Sequence, residues 1–156
     1  MLIKNLVFTA WQLFNKFFDA LIPVGDLFIR CWVAKAFIAS GLTKIATWSS
    51  TLLLFQFEYQ VKFLSPQVAA VTSVFIELGI SSLLVLGLGG RLPALILFLF
   101  NIMAVASYPF LWTDQGYIGL KDHICWGIIL LVILLHGTGK LSVDQLIKYF
   151  FYSKKR

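Results

Sequence analysis

Apolar residues recur along this chain in two rhythms. In the opening stretch IKNLVFTAWQLFNKFFDALI, the residues Ile3, Leu6, Val7, Ala10, Leu13, Phe14, Phe17, Phe18 and Leu21 follow helical spacing. Lys4, Asn5, Gln12, Asn15, Lys16 and Asp19 gather on the other side. This pattern predicts an amphipathic helix lying in the headgroup layer of a membrane, ended by Pro23 and Gly25. A cleavable signal peptide would need a continuous apolar core and a small-residue cleavage site, and both are missing. From Asp26 onward the apolar residues run right round the helix instead. Long windows cover Asp26 to Thr47, Pro66 to Gly87, Leu92 to Phe110 and Leu120 to His136. Each is near the length that crosses about 30 Å of hydrocarbon as a helix.

The connections carry their own signals. Residues 48–65, WSSTLLLFQFEYQVKFLS, are too apolar for a free loop and predict a short helix on the outer membrane surface, with Glu58 and Lys62 at helical spacing. In LGLGGRLP, Gly89 and Gly90 stop one helix and Pro93 suits the first turn of the next. In HGTGKLSVDQL, Gly137 and Gly139 are stop signals and Ser142 is placed to cap a short amphipathic helix along the inner surface. The expected fold is all-α: a four-helix transmembrane bundle over residues 26–147, an N-terminal interfacial amphipathic helix over residues 1–25, and a basic cytoplasmic tail over residues 148–156.

Composition supports the membrane reading. Sixty per cent of residues are hydrophobic and 13% charged, where soluble domains run near a quarter charged. The net charge of +6 raises the question of nucleic acid, so its distribution matters. With the N-terminus cytoplasmic, the inner side takes Lys4, Lys16, Arg30, Arg91, Lys140, Lys148, Lys154, Lys155 and Arg156, leaving Lys44, Lys62 and Lys121 outside. The positive-inside rule therefore puts both termini in the cytoplasm. The terminal Lys154-Lys155-Arg156 reads as a cluster facing membrane lipids, and with no stacking or groove-reading motif beside it, no nucleic-acid partner is expected. Cys31 and Cys125 fall near opposite membrane faces and form no C-x-x-C, which argues against a dithiol oxidoreductase.

Charges inside the apolar windows are the main candidates for chemistry. Lys35 lies nine residues into the first span, roughly 13 Å deep, and Glu77 ten residues from the inner end of the second, about 15 Å. Asn101 reaches a similar level, and Gly127 supplies space there. Glu77 continues a small-residue stripe of Ala69, Ser73 and Ser81, and Lys35 continues Ala39 and Thr43. A charge alone at the bilayer centre costs about 2.5 to 3.5 kcal/mol. The expectation is a Lys35–Glu77 ion pair with Asn101 in hydrogen-bonding reach, either fixing helix register or forming the polar floor of a ligand pocket or proton path. Arg30 should snorkel to inner phosphates and Lys44 to the outer interface, with Gly41 giving the backbone room.

The run KDHICWG offers Asp122, His123, Cys125 and Trp126 near the outer surface. Adjacent helical residues point in different directions, and His123 and His136 sit at opposite ends of one span, so no metal or haem is expected within one chain. His123 is either part of an interfacial His and Trp belt or a hydrogen-bonding group for a quinone-like headgroup. No phosphate-binding loop or nucleophile elbow is present, and no catalytic residue is assigned.

Several runs together resemble the DoxX family of small four-helix bacterial membrane proteins: RCWVAKAFIASGLTKI, Glu58-Tyr59, Glu77-Leu78 followed by LLVLGLGGR, NIMAVASYP, DHICWG and HGTGKLSVDQLI. The resemblance spans about Asp26 to Ile147; Thr138 stands where the family commonly has proline and Val143 where it has leucine. It implies residence in a bacterial inner membrane and an association with quinone- or thiol-linked redox chemistry. It supplies no agreed catalytic residues, so Arg30, Lys44, Glu58, Glu77 and His123 are matched positions with inferred roles. The leading expectation is an accessory subunit of a membrane redox complex that binds a quinone or lipid, with redox proteins or a second copy of the chain as partners. The alternative is a small-solute or proton transporter using Lys35, Glu77 and Asn101, for which four spans are few unless the chain dimerises. A stand-alone enzyme ranks behind both.

Overall fold

The computed structural model describes residues 2–59, 61 and 63–153, so Lys62 and the basic end Lys154-Lys155-Arg156 lie outside the described residues. All regular structure among the described residues is helical. In chain order the elements are α1 (Leu2–Ala46), α2 (Trp48–Phe57), α3 (Pro66–Phe75), a π turn (Ile76–Ile80), α4 (Ser81–Leu86), α5 (Leu92–Ser107), a 3-10 turn (Pro109–Trp112), α6 (Tyr117–His136) and α7 (Val143–Ser153).

The first correction concerns α1. The amphipathic segment does not end at Pro23 and Gly25 but runs without a break into the first apolar window, giving one helix of 45 residues with Pro23 inside it. Proline removes one backbone donor, a loss that apolar helices tolerate. Nothing lies within 4 Å of where a Gly25 side chain would begin, so that glycine meets no packing constraint. Leu6, Phe8, Trp11, Phe14 and Phe17 on the early turns stay exposed.

Among the described residues, two continuous helical segments are long and apolar enough to cross a membrane, Pro66–Leu86 and Tyr117–His136, each with a mean hydropathy of 2.0. The others differ for identifiable reasons. In α1 the apolar window is diluted by Arg30, Lys35 and Lys44, and α5 is apolar but only 16 residues long, roughly 24 Å at helical rise.

The helix ends follow the local chemistry. Ser65 caps α3 by accepting from the Val68 amide at 3.4 Å, with Pro66 in the first turn. Gly87 takes φ 64°, a left-handed conformation that glycine adopts without cost. This lets the Leu88 and Gly87 amides close on the Leu83 and Leu84 carbonyls. Ser142 stands immediately before α7 and accepts from the Gln145 amide at 3.4 Å, as the sequence predicts.

The core joins α1, α4, α5 and α6 through Val33, Phe37, Leu84, Leu97, Leu130 and Ile133. Beneath it, Arg30 does not snorkel outward: it is 1% exposed. Its guanidinium donates to the Leu84 carbonyl at 3.3 Å, to Val85 at 3.0 Å and to the Leu141 carbonyl. A buried cation is thus satisfied by carbonyls at the C-terminal end of α4, where the helix dipole is negative, and by the Leu141 carbonyl ahead of α7. The Asp144 carboxylate completes the clasp by accepting from the Gly89 and Gly90 amides at 3.2 and 2.6 Å.

Candidate functional site

One face of α1 is buried: Arg30, Val33, Ala34, Phe37 and Gly41, with Lys44 half-buried at its end. These positions repeat at three- and four-residue steps, the seam of helices in close contact. Lys35, Ala39 and Thr43 lie on the reverse face and are exposed, which overturns the expected stripe. On the facing helices Ala69, Ser73, Glu77 and Ser81 are all buried, so the small-residue row predicted there does form the contact surface.

Gly41 sets the register between the two. A side chain begun at Gly41 would lie 2.8 Å from Leu78 Cδ2 and 3.1 Å from Glu77 Cβ, so the backbones meet where no Cβ fits. Glu77 is therefore level with Gly41, six residues or roughly 9 Å beyond Lys35 along α1. The expected Lys35–Glu77 ion pair does not form. Depth reckoned from Asp26 was short by about one turn, because Arg30 rather than Asp26 sits beside Gly87. The face was wrong as well.

Lys44 takes the place assigned to Lys35. Its ammonium lies 2.7 Å from Glu77 Oε1 and 2.9 Å from Oε2, and donates to Ser40 Oγ at 2.7 Å. Ser40 donates in turn to Glu77 Oε1 at 3.2 Å. Lys44 thus turns inward rather than to the outer interface, because the buried carboxylate offers what lipid cannot. The buried Thr51 of α2 donates to the Lys44 carbonyl at 3.1 Å, fixing this end of α1. Glu77 itself sits in the π turn, where an extra residue widens the helix. Such bulges are frequent at functional sites.

Asn101 belongs to a second polar pair rather than to the first. Its Nδ2 donates to the His123 carbonyl at 2.9 Å, and its Oδ1 lies 2.8 Å from His123 Nδ1. Gly127 makes this possible, since a side chain there would stand 3.2 Å from Asn101 Nδ2. The His123 ring meets Trp126 edge-on, with centroids 4.9 Å apart. Asp122 on the same turn is exposed, as is Glu58.

The Lys44–Glu77 pair and His123 line a cavity of about 120 Å³ shared with Ser40, Ser73 and Phe100. Aromatic rings from the connections roof it: Phe55 against Tyr59 and Tyr59 against Tyr108, each pair at 4.7 Å between centroids. Burial, reinforced by Tyr108 and by the Glu77 and Glu58 carboxylates, pushes the Tyr59 phenol up to about 12. Burial beside Glu58 likewise raises Tyr108. The roof thus keeps its hydroxyl protons over the whole physiological range.

Of the residues singled out in the sequence, Glu77, Lys44 and His123 meet at the cavity and Asn101 orients His123 from behind. Arg30 lies at the other end of the bundle, and Lys35, Glu58 and Asp122 face outward. The sequence assigns no role to Ser40 or to the roof of Phe55, Tyr59 and Tyr108, although Tyr59 and Tyr108 fall in the runs that carry the family resemblance. The signal for Ser40 was present, because it precedes Lys44 by one turn. Among known families, the DoxX family model matches residues 25–110. No curated protein and no solved structure matches the chain.

Proposed function

This chain belongs to the DoxX family and is a small membrane protein, and from that premise we propose that it is a ligand-binding accessory subunit of a membrane redox complex, its cavity holding the ring of a quinone-type molecule. In this reading α1, the Pro66–Leu86 segment, α5 and α6 all cross a bacterial inner membrane with both termini cytoplasmic. The whole of α7 rests against the inner leaflet through its apolar face. The observation that carries the proposal is the composition of the cavity. A charged pair and an oriented imidazole stand at one end, aromatic rings at the other, and the volume of about 120 Å³ suits a single six-membered ring. A longer tail would lie outside, past Leu64 and Met103, cavity-lining apolar residues that are 43% and 44% exposed.

Transport is less well supported. The polar centre it required, Lys35 with Glu77 and Asn101, is not assembled. Between the cavity and the buried Arg30 lies the apolar core of Val33, Phe37, Leu84, Leu97 and Leu130, which offers a solute few polar groups. The test is purification in mild detergent followed by extraction and mass analysis of bound lipophilic molecules. A ring compound should accompany the native chain and be lost from Ala104→Phe, which fills the cavity from its wall while the thermal midpoint is kept. A native chain with no such molecule, or a filled variant that still carries it, would count against the proposal.

A further inference from the structure

Hydrogen-bond accounting around the cavity says what kind of group its polar end can receive. An ammonium has three donors, and Lys44 spends all three on Ser40 Oγ, Glu77 Oε1 and Glu77 Oε2. The Ser40 hydroxyl gives its hydrogen to Glu77 Oε1, and Ser73 gives its hydrogen to the Ala70 carbonyl at 2.9 Å. Lys44, Ser40 and Ser73 thus have no donor left, and the remaining hydroxyls of the cavity wall are those of Thr72, Ser107, Tyr59 and Tyr108.

Acceptors remain. Glu77 Oε2 receives one hydrogen bond, from Lys44, and a carboxylate oxygen can accept two. His123 supplies another by a short deduction. The His123 carbonyl can only accept, so the Asn101 amide nitrogen must face it, and Oδ1 must then face Nδ1. Because Oδ1 can only accept, the imidazole carries its hydrogen on Nδ1. The neutral ring therefore has a bare lone pair on Nε2, and His123 lines the cavity.

We infer that the site selects a neutral aromatic hydroxyl compound, a phenol or the reduced hydroquinone form of a quinone, one O–H group of which donates to His123 Nε2 or Glu77 Oε2. A quinone carbonyl, a carboxylate or a phosphate placed beside Glu77 and His123 presents acceptors alone and would face acceptors there. A cation gains little, because Lys44 already neutralises Glu77. The ring itself packs against Phe55 and Phe100. This inference rests on the ligand-binding reading above and adds the class of ligand.

The experiment compares hydroquinone, p-benzoquinone and p-xylene, three rings of similar size that differ in donors. The protein is used in detergent, without oxygen, at pH 8, above the ordinary imidazole value of about 6.5. Cys31 and Cys125, both exposed, are replaced by serine so that the quinone cannot add to them. Dissociation constants are read by ligand-detected NMR. Hydroquinone should bind at least about tenfold tighter than either other ring, the factor expected when a well-placed hydrogen bond is gained. His123→Phe should bring hydroquinone most of the way down to p-xylene, with the Glu77 acceptor remaining, while p-xylene still binds, which reports that the cavity is intact. Equal or tighter binding of p-benzoquinone or p-xylene would overturn the donor preference and leave the ligand-binding reading standing. Failure of all three to bind would overturn both.

Discussion

Removing one member of the Lys44–Glu77 pair and removing both should have opposite consequences. The side chains are 15% and 5% exposed and 2.7 Å apart. At an effective dielectric of about 20, that separation gives an attraction of about 6 kcal/mol, most of it offset by the cost of taking both ions out of water. Lys44→Met leaves the carboxylate buried with only the Ser40 hydroxyl as partner, and Glu77→Gln leaves the ammonium in an apolar seam. Each single change should therefore destabilise by about 3 to 5 kcal/mol. The double variant should recover to within about 1 kcal/mol of the native chain, a coupling of at least about 5 kcal/mol. Lys35→Met, on the exposed face, should move stability by no more than about 0.5 kcal/mol. Equilibrium unfolding in mixed detergents, followed by tryptophan fluorescence, measures all four variants on one scale. Additive single effects, or a Lys35→Met cost equal to that of Lys44→Met, would refute the pairing.

Other consequences can be checked by the same measurement. Gly41→Ala puts a methyl group 2.8 Å from Leu78 Cδ2 and 3.1 Å from Glu77 Cβ; separating the helices to admit it should cost about 1 to 3 kcal/mol. Arg30→Lys keeps the charge but loses the fork that spans the Leu84, Val85 and Leu141 carbonyls, and should cost at least about 2 kcal/mol. Tyr59, whose phenol is raised from 10.0 to about 12, binds its proton more tightly folded than unfolded. Its contribution to stability should therefore be fully present below pH 10 and be lost as pH rises from about 10 to about 12, and Tyr59→Phe should flatten that part of the pH profile.

How much of this was legible in the sequence depended on whether a residue's role followed from its own helix or from a neighbour's. The stripe Ala69, Ser73, Glu77 and Ser81 could be read outright, because small residues around one carboxylate in an apolar helix have few other uses. The turn at Gly87 to Gly90 and the cap at Ser142 could be read for a similar reason, since their chemistry is local. The partner of Glu77 could not be found by depth, because counting from Asp26 assumes where the helix enters the membrane, and α1 has no break there. Periodicity alone would have done better. Arg30, Phe37 and Lys44 are successive heptad positions, with Ala34 and Gly41 beside them, whereas Lys35 falls on the reverse side of the same helix. Two cations sharing a face with small residues and a phenylalanine mark the buried side, and the cation apart from them marks the outside. The roof is a different matter. Tyr59 and Tyr108 come from separate connections and meet only because α2 folds back over the end of α1, held by Thr51 on the Lys44 carbonyl. No spacing along the chain encodes that meeting, so the polar end of the cavity was within reach of sequence reasoning and its aromatic end was not.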